Sequence, residues 1–169
     1  LAHAAAHDGQ QRMYLSRVQS SLQDLEPGGL LPIPCSVGGE PIILMVHRGS
    51  GNEADMCTLA VISCEAEGNA LKHHRSEASP PKIRFETCLE LRSISYDKLQ
   101  DEALWTLIWF AGTLCQQDGK LTPAKVFYQV ALSFLSGQSL EQAMIHSDEL
   151  RDEGNEEVQP YRTPRRSKS

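Results

Sequence analysis

The spacing of apolar residues divides the chain into a first helix, a group of strands and a second helical region. Between residues 11 and 25, apolar side chains recur every three or four positions, which predicts an amphipathic helix. Pro27 and the two glycines after it cannot continue a helix cheaply, so they end it. The predicted buried stripe of this helix is Leu15, Val18, Leu22 and Leu25.

The first two strands are predicted to form a hairpin. Residues 31–37 contain Pro32 and Pro34, which lack the N–H that a central strand donates, so this segment is predicted to be an edge strand. Gly38-Gly39 is a tight-turn dipeptide that leads into a second strand at residues 42–47.

Two further strands are predicted on either side of a long polar loop. Residues 56–64 form the third strand, and residues 65–81 form the loop. Residues 82–94 alternate apolar and charged side chains and form the fourth strand. This alternation predicts an antiparallel sheet with one buried face and one wet face.

The remaining elements are predicted to be helical. One helix runs over residues 97–117, and a second opens at Thr122, which precedes a proline, and ends near residue 137. Ser139 and Gln142 have the spacing of a capping box, which predicts a short third helix.

The predicted fold is therefore a two-layer α+β sandwich: a helix, four antiparallel strands, then two or three helices on one face of the sheet. This order of elements over residues 11–136 resembles the RWD and ubiquitin-conjugating-like folds, and Ser79-Pro80-Pro81 resembles their proline-rich turn. A related mixture of elements is found in small acidic secretion chaperones. The resemblance implies a fold and no activity, since the chain has no counterpart of the His-Pro-Asn element or of the active cysteine of conjugating enzymes.

Composition predicts one domain with tails. Residues 11–146 form the domain, residues 1–10 a disordered lead-in, and residues 147–169 a disordered tail that is acidic and then basic. The net charge of −6 argues against a broad nucleic-acid footprint on the domain. No apolar run reaches membrane-spanning length, so no membrane span is expected.

The helix at residues 97–117 is unusually apolar. Trp105 and Trp109 flank one side of its core-facing stripe and Phe110 flanks the other, so the apolar arc spans roughly 260° at 100° per residue. Either the next helix covers these three side chains in the core, or they form an interface with a partner, where tryptophan is enriched.

The five cysteines all lie in apolar segments, without the spacing of a zinc site. They are predicted to be buried, reduced and slow to react, as in an intracellular protein of the cytoplasm or nucleus. No metal and no cofactor is expected. The alternative is a thiol enzyme that uses Cys88 or Cys57 with a histidine such as His47.

Two basic segments are further candidates. The tetrad Lys72, His73, His74 and Arg75 could meet phosphate or an acidic partner, or could be a solvated loop tip. In the tail, Thr163, Arg165, Arg166 and Ser167 form a pattern that kinases recognise, and the same positive charge could contact nucleic acid.

The sequence favours a non-enzymatic protein-interaction or assembly module that binds a protein partner or itself. It would present either the helix around Trp105, Trp109 and Phe110 or an open strand edge. A thiol enzyme, and a nucleic-acid-associated or viral structural protein that makes contact through its tail, are the alternatives.

Overall fold

A computed structural model describes the backbone of residues 2–64, 76–79, 82–85, 88–113 and 121–146 and the side chains of residues 8–64, 88–113 and 121–146. The strands are β1 (Leu30–Val37), β2 (Glu40–Arg48), β3 (Met56–Ser63), β4 (Ser76–Ser79), β5 (Lys82–Phe85) and β6 (Cys88–Ser95). The helices are α1 (Ala2–Gln23), α2 (Tyr96–Leu99), α3 (Glu102–Thr113), a π-helical segment (Lys125–Ala131) that continues into α4 (Leu132–Ser136), and α5 at residues 140–146. A short 3₁₀ turn, Gly51–Glu53, lies between β2 and β3. None of the helices in these ranges is long and apolar enough to cross a membrane.

The predicted α+β fold is confirmed. A four-stranded antiparallel sheet has the order β1-β2-β3-β6, and the N-terminal helix and the C-terminal helices pack against it. The four residues predicted to be the buried stripe of the first helix are all in the core: Leu15, Val18, Leu22 and Leu25. They meet the inner side chains of the strands, such as Leu44 and Val61, which have no solvent exposure.

Several predicted boundaries were wrong. The first helix is Ala2–Gln23, whereas the apolar spacing predicted residues 11–25. The predicted strand at residues 82–94 is two strands, because β5 pairs with β4 in a separate hairpin, and β4 lies within the predicted loop. The predicted helix at residues 97–117 is interrupted between α2 and α3.

The predicted edge hairpin is confirmed, and its geometry places two prolines at the open edge of the sheet. Gly38 and Gly39 have φ angles of 60° and 89°, which fit a type I′ turn and favour glycine. Val37 and Glu40 form the pair next to this turn, and in such a turn that pair is hydrogen-bonded. Every second residue of β1, counted back from Val37, therefore bonds to β2 through its backbone. The backbone N–H and C=O groups of the residues between them point to the open edge. Pro32 and Pro34 are at open-edge positions, where they cost no ladder bond and offer no donor.

A bulge in β6 explains why its alternation changes phase. The register pairs Leu59 with Leu91 but Cys57 with Ile94, so β6 has one extra residue in this interval. Ser93 lies in it with a φ of 56°, a left-handed conformation that is uncommon for a residue with a side chain. The bulge lets Leu91 and Ile94, three residues apart, both face the core.

The side chain of Arg48 ties the first helix to the sheet and to the β2–β3 loop. Its guanidinium donates hydrogen bonds to the carbonyl of Leu25 at 2.7 Å and to that of Ala54 at 2.8 Å. It also lies 3.8 Å above the centre of the Tyr96 ring, whose hydroxyl donates to the carbonyl of Leu22. One cation therefore joins α1, the loop and the β6–α2 junction.

The predicted caps of the C-terminal helices are confirmed. The amide of Lys125 donates to the Thr122 hydroxyl at 3.3 Å. Ser139 and Gln142 each bond to the other's backbone amide at 3.4 Å, as a capping box requires.

Replacing Arg48 by Met should lower the free energy of unfolding by about 2–4 kcal/mol, because two carbonyls lose a charged donor and the Tyr96 ring loses its cation. Arg48→Lys should recover little, since an ammonium cannot reproduce the planar fork. Urea denaturation measures both. Arg17→Met, the same change at an exposed site of α1, is the control and should alter stability by no more than about 0.5 kcal/mol. Equal effects of the two Met variants would contradict the role given to Arg48.

Candidate functional site

Trp105 belongs to the core. It has no solvent exposure, and its indole N–H donates to the carbonyl of Leu99 at 2.6 Å. That bond uses a carbonyl at the end of α2, so the tryptophan secures the interruption between α2 and α3. Of the two alternatives for Trp105, the core is the one that its burial supports.

Trp109 and Phe110 are closer to the surface. The half-buried Trp109 packs on Tyr14 of α1, with ring centres 5.2 Å apart. Phe110, on the other flank of α3, is 46% exposed. Val130 of the π-helical segment and Phe134 of α4 are exposed to a similar extent. The π-helical segment contacts α3. We call Phe110, Val130 and Phe134 the helical surface.

The sheet face opposite the core is also apolar. One row across the sheet holds Pro34, Ile43 and Ile62, and the next holds Pro32, Met45 and Ala60. We call these six residues the outer face. None of them is a member of the core cluster, and the four on β2 and β3 are half-buried while both prolines are exposed. Polar side chains on this face are found on β6, where Glu90 completes one row and Cys88 the other, and in the next row along the strands, where His47 pairs with Thr58.

Sequence reasoning missed the outer face, although a signal was present. Residues 42–46 and 59–62 are uninterrupted apolar runs, which is the pattern of strands with two apolar faces. The alternation of residues 82–94 is typical of a strand with one wet face, and the prediction of a wet face for the whole sheet was based on that strand alone. The two central strands are therefore the ones whose second face needs a cover.

A polar cleft of about 460 Å³ lies at one end of the outer face. It is lined by the β2–β3 loop and by His47, Thr58, Glu90, Arg92 and Ser93. Arg92 Nε lies 2.7 Å from a carboxylate oxygen of Glu90, so opposite charges are already paired at its wall. The cleft gives the apolar rows a polar border.

Of the two thiols of the thiol-enzyme alternative, the structure separates Cys88 from His47. Cys88 is in register with Ile62 and Ile43, whereas His47 is in register with Thr58, toward the other end of the sheet. Cys57 is beside Thr58 and is one of the residues that line the polar cleft with His47. Its side chain is nevertheless buried, and burial raises its pKa to about 11 although Arg48 opposes the shift. Within the described ranges, no group of three or more His, Cys, Asp or Glu side chains could hold a metal ion.

The prediction that all cysteines are buried was wrong for two of them. Cys57 is buried and Cys35 is half-buried, but Cys64 and Cys88 are exposed. Both exposed thiols are near the same end of the sheet, since β3 ends at Ser63 and β6 begins at Cys88. Cys115 lies outside the described residues.

The two basic candidates also lie outside the described residues: the tetrad of Lys72, His73, His74 and Arg75, and the tail with Thr163, Arg165, Arg166 and Ser167. Both stay predictions.

Comparison with protein-family models, with curated proteins and with solved structures finds no match for this chain. The chain's own surfaces are therefore the basis for assigning a function.

Thiol labelling of the native protein at neutral pH should separate the cysteines into two classes. Cys64 and Cys88 should react at rates near those of an unfolded chain, because they are exposed. Cys35 and Cys57 should react far more slowly, since burial shields them and raises the pKa of Cys35 to about 12. Mass spectrometry of labelled peptides over time measures this order, and fast labelling of Cys57 would contradict its placement.

Truncating the two tryptophans should have different consequences. Trp105→Ala should cost about 3–5 kcal/mol of folding stability, because it empties a fully buried site. Trp109→Ala should cost less, since part of its ring is already solvated. Thermal melts of both variants measure the loss of folding stability. A larger loss for Trp109→Ala than for Trp105→Ala would contradict the placement of Trp105 in the core.

Proposed function

We propose that this domain is a non-enzymatic assembly module in which two copies associate through the outer faces of their sheets. The observation that carries the proposal is the two adjacent rows of apolar side chains on β1, β2 and β3. The described helices pack on the opposite face and, through α3, near Pro34 and Ser36 at the β1 edge. The β2 and β3 positions of the two rows are therefore left for another sheet to cover. A second copy presents the same apolar surface, as a two-fold interface requires.

The size of the outer face fits the centre of an interface. At about 4.8 Å between strands and 3.4 Å per residue, two rows across three strands cover roughly 200 Å². A stable interface takes about 800 Å² from each partner, with an apolar centre and a polar rim. The outer face would supply the centre, and the polar cleft with His47, Glu90 and Arg92 would supply part of the rim.

Association by faces is favoured over association by the β1 edge. Pro32 and Pro34 leave that edge without donors at two positions, so a partner strand would find no ladder there. Two sheets stacked about 10 Å apart need no backbone donors, since side chains interdigitate between them.

Sedimentation equilibrium should show a concentration-dependent dimer for the wild-type chain. Ile43→Lys or Ile62→Lys should abolish it, because a charge would be buried at the centre of the interface. Circular dichroism and a melting temperature close to that of the wild type should show that each variant is folded, since both side chains lie outside the core.

Val130→Lys on the helical surface is the matched control, with the same residue introduced at an exposed apolar site. It should leave the dimer intact. A dimer that is lost with Val130→Lys and kept with Ile43→Lys would assign the interface to the helical surface, and a wild-type chain that stays monomeric would refute self-association.

A further inference from the structure

A second cleft, of about 300 Å³, lies between α1, β1 and α3. We call it the aromatic cleft, because Tyr14 and Trp109 are among its lining residues. Its other lining residues are Pro34, Cys35, Ser36, Ile108, Gly112 and Thr113. It is on the opposite flank of α3 from Phe110, so it is separate from the helical surface.

The walls of the aromatic cleft are held at a fixed spacing. A side chain at Gly112 would place its Cβ 2.8 Å from the Ser36 hydroxyl oxygen and 3.0 Å from the Ser36 carbonyl oxygen, so only glycine allows this approach. The amide of Gly38 also donates to the carbonyl of Ala111 at 3.0 Å. Helix α3 is thereby anchored against the end of β1, and the cleft is formed before any ligand arrives.

The described lining of the aromatic cleft is uncharged. Among the residues whose side chains the structure describes, no Asp, Glu, Lys, Arg or His lines it. Burial raises the pKa of Tyr14, and the neighbouring Cys35 adds to the shift. Burial likewise raises the pKa of Cys35, to about 12. An anion would meet the same desolvation penalty as these side chains, and the described lining offers no carboxylate to pair with a cation, so an uncharged ligand is favoured.

One polar atom at the wall of the cleft lacks a partner. The hydroxyl oxygen of Tyr14 is shielded from solvent and makes no hydrogen bond to any described residue. A buried hydroxyl in this state carries a desolvation penalty, which an acceptor can relieve once the ring tilts toward it. A ligand that brings a carbonyl or ether oxygen would therefore gain a hydrogen bond that an aliphatic or purely aromatic molecule would not.

We propose that the aromatic cleft binds a flat, uncharged small molecule of one or two fused rings that accepts a hydrogen bond from Tyr14. The size follows from the volume, because a cavity of about 150 Å³ accommodates benzene and this one is about twice as large. The flat shape follows from the two rings that line the cleft, since aromatic faces prefer offset stacking.

The chain contains two tryptophans, so a ¹H–¹⁵N spectrum shows two indole N–H signals, which Trp109→Phe assigns. The probe is 1-indanone, a neutral fused-ring ketone, and the matched probe is indane, which has the same rings and no acceptor. Titration with 1-indanone should shift the Trp109 signal and leave the buried Trp105 signal in place. The ketone should bind about five-fold more tightly than indane, the usual net effect of one hydrogen bond.

Tyr14→Phe keeps the ring and removes the hydroxyl, so in this variant the preference for 1-indanone over indane should disappear while indane still binds. The remaining spectrum shows whether the variant is folded, and the comparison of the two probes on the wild-type chain needs no variant. The proposal is overturned if neither probe moves the Trp109 signal, if both indole signals shift together, or if the preference survives in Tyr14→Phe.

Discussion

The packing of this domain depends on the guanidinium group of Arg48. Helix α1 ends near the β2–β3 loop, where the Tyr96 hydroxyl donates to the carbonyl of Leu22 and backbone hydrogen bonds join Gly28 and Gly29 to Arg48. The Arg48 side chain adds to these contacts, because its planar fork reaches the carbonyl of Leu25 on one side and that of Ala54 on the other. The Tyr96 ring beneath it adds a contact that also orients the start of the C-terminal helices.

The two faces of the sheet lie in different environments. The inner face is covered by helices and forms the core, whereas the outer face is apolar without a described helix upon it. A monomeric sheet of four strands would normally carry polar side chains there. The two central strands therefore carry apolar side chains on both faces, and among the described residues only the inner face is covered by helices.

Features set by local chemistry could be predicted from the sequence. The Gly38-Gly39 turn, the edge position of the proline-containing strand and the helix caps at Thr122 and Ser139 each depend on residues within a few positions of one another. Features set by distant contacts could not. The Ser93 bulge, the break before α3 that Trp105 secures and the aromatic cleft all depend on which segments meet after folding.

The prolines of β1 also limit how the protein can associate when it is concentrated. Edge-to-edge growth of sheets into fibrils needs donors and acceptors on both outer strands of every subunit. Pro32 and Pro34 remove donors from one of them, and α3 lies against its end at Ser36. The β1 edge therefore offers an incomplete ladder to a further strand, so the apolar outer face is not accompanied by a β1 edge that could template a continuous ribbon.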